Sequence, residues 1–177
     1  MENEVILVDF YDRPTGTAEK IEAHESGQLH RAFSVFLFHD NKLLLQKRSS
    51  TKYHCPGLWT NTCCSHPQPG ELTADAAVRR LKEELNISIS ESSVKEINSF
   101  FYRQEFSNGL TEFECDHVFV GKLPTEEKPA ENPEEVDETA WWDIEALFEE
   151  MRVNPQRFTP WFLICAPMAV AAVRNGV

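Results

Sequence analysis

Residues 59–87, WTNTCCSHPQPGELTADAAVRRLKEELNI, join two unlike pieces of chain. The first is a Pro/Gly-bounded loop carrying adjacent Cys63 and Cys64, followed by His66. The second is a helix dense in charge. Ala74, Ala77, Val78, Leu81 and Leu85 fall on one face of a helix running from about Thr73 to Asn86, with Thr73 as its N-cap. Arg80 and Glu84, one turn apart, sit at the edge of that face, where a side chain reaches over a pocket without entering the core.

On the N-terminal side, residues 4–10 read as a strand and Asp12–Gly16 as a turn. Thr17–Glu25 is helical or irregular, carries Lys20 and His24, and ends at Gly27. His30 leads into a β-prone run over 32–40, and 42–49 return as a hairpin. The long loop over 50–70 is of the kind that is usually functional. On the C-terminal side, strands over 94–106 and 111–121 meet at Asn108-Gly109, a hairpin signal. A solvated, acid-rich loop follows, then a strand from Val136 to Trp142 and a helix from Asp143 to Met151. Thr159-Pro160 opens a final helix, with a kink or break expected near Pro167. This order predicts a single α/β (α+β) domain with a mixed sheet between helical layers.

Glu112 and Glu114 alternate on a strand, so both carboxylates point to one face. Buried carboxylates without partners are costly, and a metal relieves that cost. His24 and His30 are six apart on the segment before a strand, and His66 lies in the loop after Cys64; these are candidate imidazole ligands. Three imidazoles and two carboxylates suit Mn²⁺ or Zn²⁺. A structural zinc site from Cys55, Cys63, Cys64 and His66 is the rival, but it lacks the usual knuckle spacing.

The chain resembles the Nudix superfamily at Glu71, Arg79, Leu81, Glu83, Glu84 and Ile87, which fall in register with the Nudix box. Ser65, Arg80 and Asn86 depart from it, Asn86 mildly, since Asn suits a left-handed cap. The phrase WTNTCCSHP is similar to the type I isopentenyl-diphosphate isomerase family within that superfamily. The resemblance implies a Nudix-type α/β/α sandwich, with an N-terminal strand and extension over 1–27, the Nudix domain over 28–165 and a C-terminal helix or tail over 166–177.

By the same resemblance, His24, His30, His66, Glu112 and Glu114 hold a Mn²⁺ or Zn²⁺ ion. Glu84 helps bind Mg²⁺ with the substrate diphosphate, and Lys20, Arg48, Lys52 and Arg80 bind the diphosphate itself. Cys64 and Glu114, with Tyr102 beside the latter, transfer protons on opposite faces of a five-carbon isoprenoid diphosphate. A thiol near a dication and basic groups should be more acidic than a free one. Trp161 shields a tertiary cation through its aromatic face, and Trp59 is a second candidate for the pocket wall. Cys63 reads as packing, and His39, His54 and His117, which match nothing in the family, as structural.

The competing readings are a Nudix hydrolase acting on a nucleoside diphosphate derivative and a metal-binding module without catalysis. Arg80 in place of a glutamate speaks against hydrolysis. At 177 residues the chain is one domain with a real core. A net charge of −12 argues against nucleic acid and requires local cations around any diphosphate. The odd number of cysteines points to a reducing cytoplasm rather than a disulfide scaffold. The apolar run Trp161–Val173 is shorter than the roughly 20 residues of a membrane helix, so no membrane span is expected. The chain is expected to act as a monomer.

Overall fold

The computed structural model describes residues 4–177; residues 1–3 of the expected N-terminal extension lie outside it. In chain order the elements are β1 (Glu4–Val8), β2 (Pro14–Glu19), α1 (Lys20–Ser26), β3 (His30–His39), β4 (Lys42–Arg48), β5 (Trp59–Thr60) and β6 (Cys63–Ser65). They continue with α2 (Thr73–Leu85), β7 (Val94–Glu105), β8 (Thr111–Lys122), β9 (Val136–Asp143), α3 (Ile144–Val153) and α4 (Pro160–Arg174).

The sheet is built around β3. It pairs parallel with β8 and antiparallel with β1, β4 and β6, while β7 extends the sheet from β8 and β9 from β4. The alternation of the strands sets the layers. Phe33, Val35 and Leu37 of β3 pack with Ala77, Leu81 and Leu85 of α2. Phe36 and Phe38, one residue out of step, pack with Leu147 of α3 and Phe162 of α4. One strand thus supplies the two larger hydrophobic clusters, and the expected α/β/α sandwich with a mixed sheet is what forms. Leu81 and Leu85 are fully buried; each contributes roughly 1.5–3 kcal/mol by leaving water.

α2 starts with Leu72 as N-cap and Thr73 already helical, so Thr73 is not the cap. Its far end behaves as expected: Asn86 takes the left-handed conformation (φ 56°), and the Ile87 amide donates to the Leu81 carbonyl at 3.2 Å. Pro14–Gly16, expected in a turn, opens β2 instead. That strand is almost wholly exposed, so no apolar alternation marked it, and only its pairing with β1 makes it a strand. The turn lies just before it, where Asp9 accepts from the amides of Tyr11 and Arg13. α4 runs through Pro167 unbroken. Burial of Trp161, Phe162, Cys165, Ala166, Ala169 and Val170 holds both sides of that proline in place. No helix among the described residues is long and apolar enough to cross a membrane.

Candidate active site

The long loop is stitched to β3 by β6, and this short strand separates the two adjacent cysteines. Cys63 pairs with Val35 and Cys64 with Ser34. Neighbours on a strand face opposite sides. Cys63 is therefore buried in the core under α2, while Cys64 lines a cavity of about 240 Å³ on the other side. Trp161, His66, Glu112 and Glu114 line the same cavity, as do Lys20, Arg48, Lys52, Arg80 and Glu84. Trp59 does not. It packs in the core edge-on to Trp142, ring centroids 5.7 Å apart.

Ligand atoms of His24, His30, His66 and Glu114 lie within 4.8 Å of one another. His24 Nδ1 bonds the Lys20 carbonyl at 2.6 Å, and His30 Nδ1 bonds the Gln28 carbonyl at 2.8 Å. Each Nδ1 must then carry the proton, which leaves each Nε2 with a free lone pair. Both Nε2 atoms are buried without a partner. Backbone carbonyls that fix the tautomer and turn Nε2 inward are the usual outer support of a metal-binding histidine. Burial, aided by neighbouring His30, pulls His24 down to about 4 and so keeps it neutral. This donor set fits a divalent ion.

Glu114 accepts from His66 Nε2 at 2.9 Å and lies 3.5 Å from His30 Nε2. Burial opposes its charge, but the neighbouring His30 and His66 rings outweigh burial and hold the carboxyl well below its ordinary range. Glu112 stands outside that four-group cluster and groups with His24 and His54 instead. Burial and the charge of Glu114 push Glu112 well above the ordinary carboxylate range. Tyr102 Oη is 2.6 Å from Glu112 and 2.8 Å from Glu114. One phenolic hydrogen cannot serve both, and a protonated Glu112 supplies the second. The chain Glu112–Tyr102–Glu114 is thereby satisfied.

Cys64 departs from the expectation of an acidic thiol. Burial pushes it up to about 12 against the opposing pull of Arg48, so in the protein alone it stays protonated. Arg48 Nη1 lies 3.9 Å from its sulfur, and the guanidinium sits 5.3 Å from the Trp161 ring centroid. Trp161 is oriented by its indole N–H, which donates to Asn61 Oδ1 at 3.3 Å. Among the cations, Arg80 is held by Glu84 at 2.7 Å and Glu135 at 3.2 Å, and Lys52 also pairs with Glu135. Glu84 is almost fully buried and further held by Gln46 at 3.1 Å.

The cavity wall holds further residues beyond those that the sequence singled out, among them His54, Asp116 and Glu135. His54, taken as structural, lies 3.0 Å from Glu112 through Nε2. Asp116 is buried, accepts from the Ser34 hydroxyl at 2.8 Å and leaves Oδ1 without a partner. Its even step with Glu112 and Glu114 was the available signal. Glu135 comes from the acid-rich loop, where nothing in sequence set it apart from its neighbours.

A NUDIX domain profile matches residues 28–162. The chain is 44% identical over 172 residues to isopentenyl-diphosphate Delta-isomerase 2 of Aromatoleum aromaticum, covering 97% of this chain and 88% of that one. It is 46% identical over 160 residues to the isopentenyl-diphosphate Delta-isomerase of Pectobacterium atrosepticum, covering 90% and 87%. Among solved structures, DR0079 from Deinococcus radiodurans superposes with a TM-score of 0.65 at 23% identity, covering 85% of this chain and 90% of that one. A NUDIX hydrolase from Nitrosomonas europaea gives 0.58 at 20% identity, covering 80% and 88%. These last two likenesses show the fold alone. The chain belongs to the NUDIX family and, within it, to the isopentenyl-diphosphate Delta-isomerases.

Proposed function

We propose that this cavity interconverts isopentenyl diphosphate and dimethylallyl diphosphate, in isoprenoid biosynthesis, by adding a proton at one carbon and removing one from another. The observation that carries this reading is the convergence of His24, His30, His66 and Glu114, two of which, His66 and Glu114, line the cavity together with Cys64 and Trp161. An alkene is a very weak base, so the proton must come from a group held beside it in a dry site. Glu114 with Tyr102, and Cys64 with Arg48, are the two proton-transfer groups; they exchange roles with direction. The Trp161 face stabilises the tertiary cation between them without offering a nucleophile.

Lys20, Arg48, Lys52 and Arg80 bind the diphosphate. Burial and the nearby Arg48 and Arg80 push the Lys20 ammonium down from its ordinary range, and an arriving anion relieves that crowding. Mn²⁺ or Zn²⁺ held by the His/Glu set would supply positive charge that makes Glu114 a stronger acid, and Mg²⁺ held at Glu84 would neutralise the diphosphate. Glu112 would join the first set from its edge on giving up its proton. We place the enzyme in the cytoplasm as a monomer that takes neither nucleic acid nor membrane as partner.

The test is incubation of the purified protein with isopentenyl diphosphate and divalent metal. An acid-labile allylic diphosphate is expected. Phosphate or pyrophosphate released from a nucleotide substrate, with no allylic product, would overturn the reading in favour of a hydrolase.

A further inference from the structure

β8 carries a second group of ligand-type side chains on the face turned away from the cavity. Cys115 and His117 are two residues apart, so they share that face. Asp12, from the turn between β1 and β2, lies over them. Ligand atoms of the three residues fall within 4.8 Å of one another. Cys115 is fully buried and His117 is 9% exposed. His117 Nδ1 bonds Glu96 Oε1 at 2.7 Å. Its Nε2 stands 3.0 Å from Asp12 Oδ2 yet makes no hydrogen bond. Asp12 itself takes a left-handed backbone (φ 57°) and is held there by Arg31, at 2.8 Å to its carboxylate and 2.6 Å to its carbonyl.

We propose that Asp12, Cys115 and His117 form a divalent-metal site for Zn²⁺ that clamps the β1–β2 turn to β8. A thiolate, an imidazole and a carboxylate suit a borderline ion, and three protein ligands leave the fourth tetrahedral position to water. Asp12 is partly exposed, so water reaches that position. Glu96 fixes His117 with Nε2 free, the outer support seen around metal-bound histidine. The charges also close. Asp12, Glu96 and the Cys115 thiolate balance the dication and Arg31, and the thiol proton leaves to solvent as the ion binds. Tetrahedral ligands around zinc lie roughly 3.3–3.8 Å apart. His117 Nε2 and Asp12 Oδ2, 3.0 Å apart, already stand close to that span, so a small shift of the Asp12 carboxylate suffices to admit the ion.

Titration of the full-length, metal-stripped protein with Co²⁺ tests this. The His/carboxylate set of the cavity offers no thiolate ligand, so thiolate-to-cobalt charge-transfer absorption reports the new site. The wild type and Cys64→Ala should both show it, and Cys115→Ser should lose it. Glu96→Gln should weaken Co²⁺ binding roughly 10–100-fold at this site. Asp12→Asn, which keeps a side chain that tolerates the left-handed backbone, should shift the midpoint at least about tenfold. Absence of the band in the wild type, its loss in Cys64→Ala with survival in Cys115→Ser, or an unmoved midpoint in Asp12→Asn would each overturn the proposal.

Discussion

The two faces of β8 make opposite use of the same backbone. Glu112, Glu114 and Asp116 point into the cavity and are nearly excluded from water. Cys115 and His117, one residue out of step, meet the polar turn at Asp12 and the half-exposed Glu96. On the cavity face each carboxyl survives burial because something answers it. His30 and His66 serve Glu114, Tyr102 and His54 serve Glu112, and Ser34 serves Asp116. On the far face, residues from the N-terminal turn and β7 do the answering. A strand delivers chemistry in alternate registers, and what each register becomes depends on which neighbours close over it.

The cavity face should break first. Glu114→Gln and Cys64→Ala are each expected to lower turnover of isopentenyl diphosphate by roughly 10²–10⁴-fold, the usual worth of a positioned proton donor. Near-wild-type rates in either variant would remove that residue from the reaction. Chelation should abolish turnover while the far-ultraviolet circular dichroism stays unchanged, and Mn²⁺ or Zn²⁺ should restore it; activity that survives thorough metal removal would contradict the reading of His24, His30 and His66. Tyr102→Phe takes away the hydroxyl between Glu112 and Glu114. A hydrogen bond to a charged group is worth about 1.5–3 kcal/mol, so kcat should fall roughly 10–100-fold with little change in KM. A large rise in KM alone would assign Tyr102 to binding instead.

The smallest effect concerns a carboxylate at the cavity rim rather than on β8. Burial opposes the charge of Glu135, but Lys52 and Arg80 outweigh it and hold it at about 2 against an ordinary 4.5. A depressed carboxyl stabilises the fold above its unfolded value, and that contribution fades as pH falls toward the folded one. Wild type should therefore exceed Glu135→Gln in stability at neutral pH, by at most about 1 kcal/mol for this partly exposed pair. The gap in denaturant midpoints should narrow from pH 4.5 downward. A gap that widens with acid would show that Glu135 is not the paired anion.

Much of the cavity was legible because its residues sit in short, dense motifs. The spacing of Glu112 and Glu114 on a β-prone run placed both on one face before any contact was known. His54 was not legible, since a lone histidine in a loop looks the same whether it faces water or a buried glutamate. Asp116 was half legible: its parity was visible, but not the enclosure by Ser34. β2 was missed because an exposed edge strand carries no hydrophobic period.

Local order sufficed for the α2 helix with its left-handed Asn86 cap, the β-hairpins and the alternation along β3 and β8, because each follows from interactions between near neighbours. Long-range pairing alone chose between Cys63 and Cys64, by setting β6 against Val35 and Ser34. It also drew His24, His30, His66 and Glu114 together from four separate segments. Proximity of that kind arises only when the sheet closes and its two hydrophobic faces are buried at once.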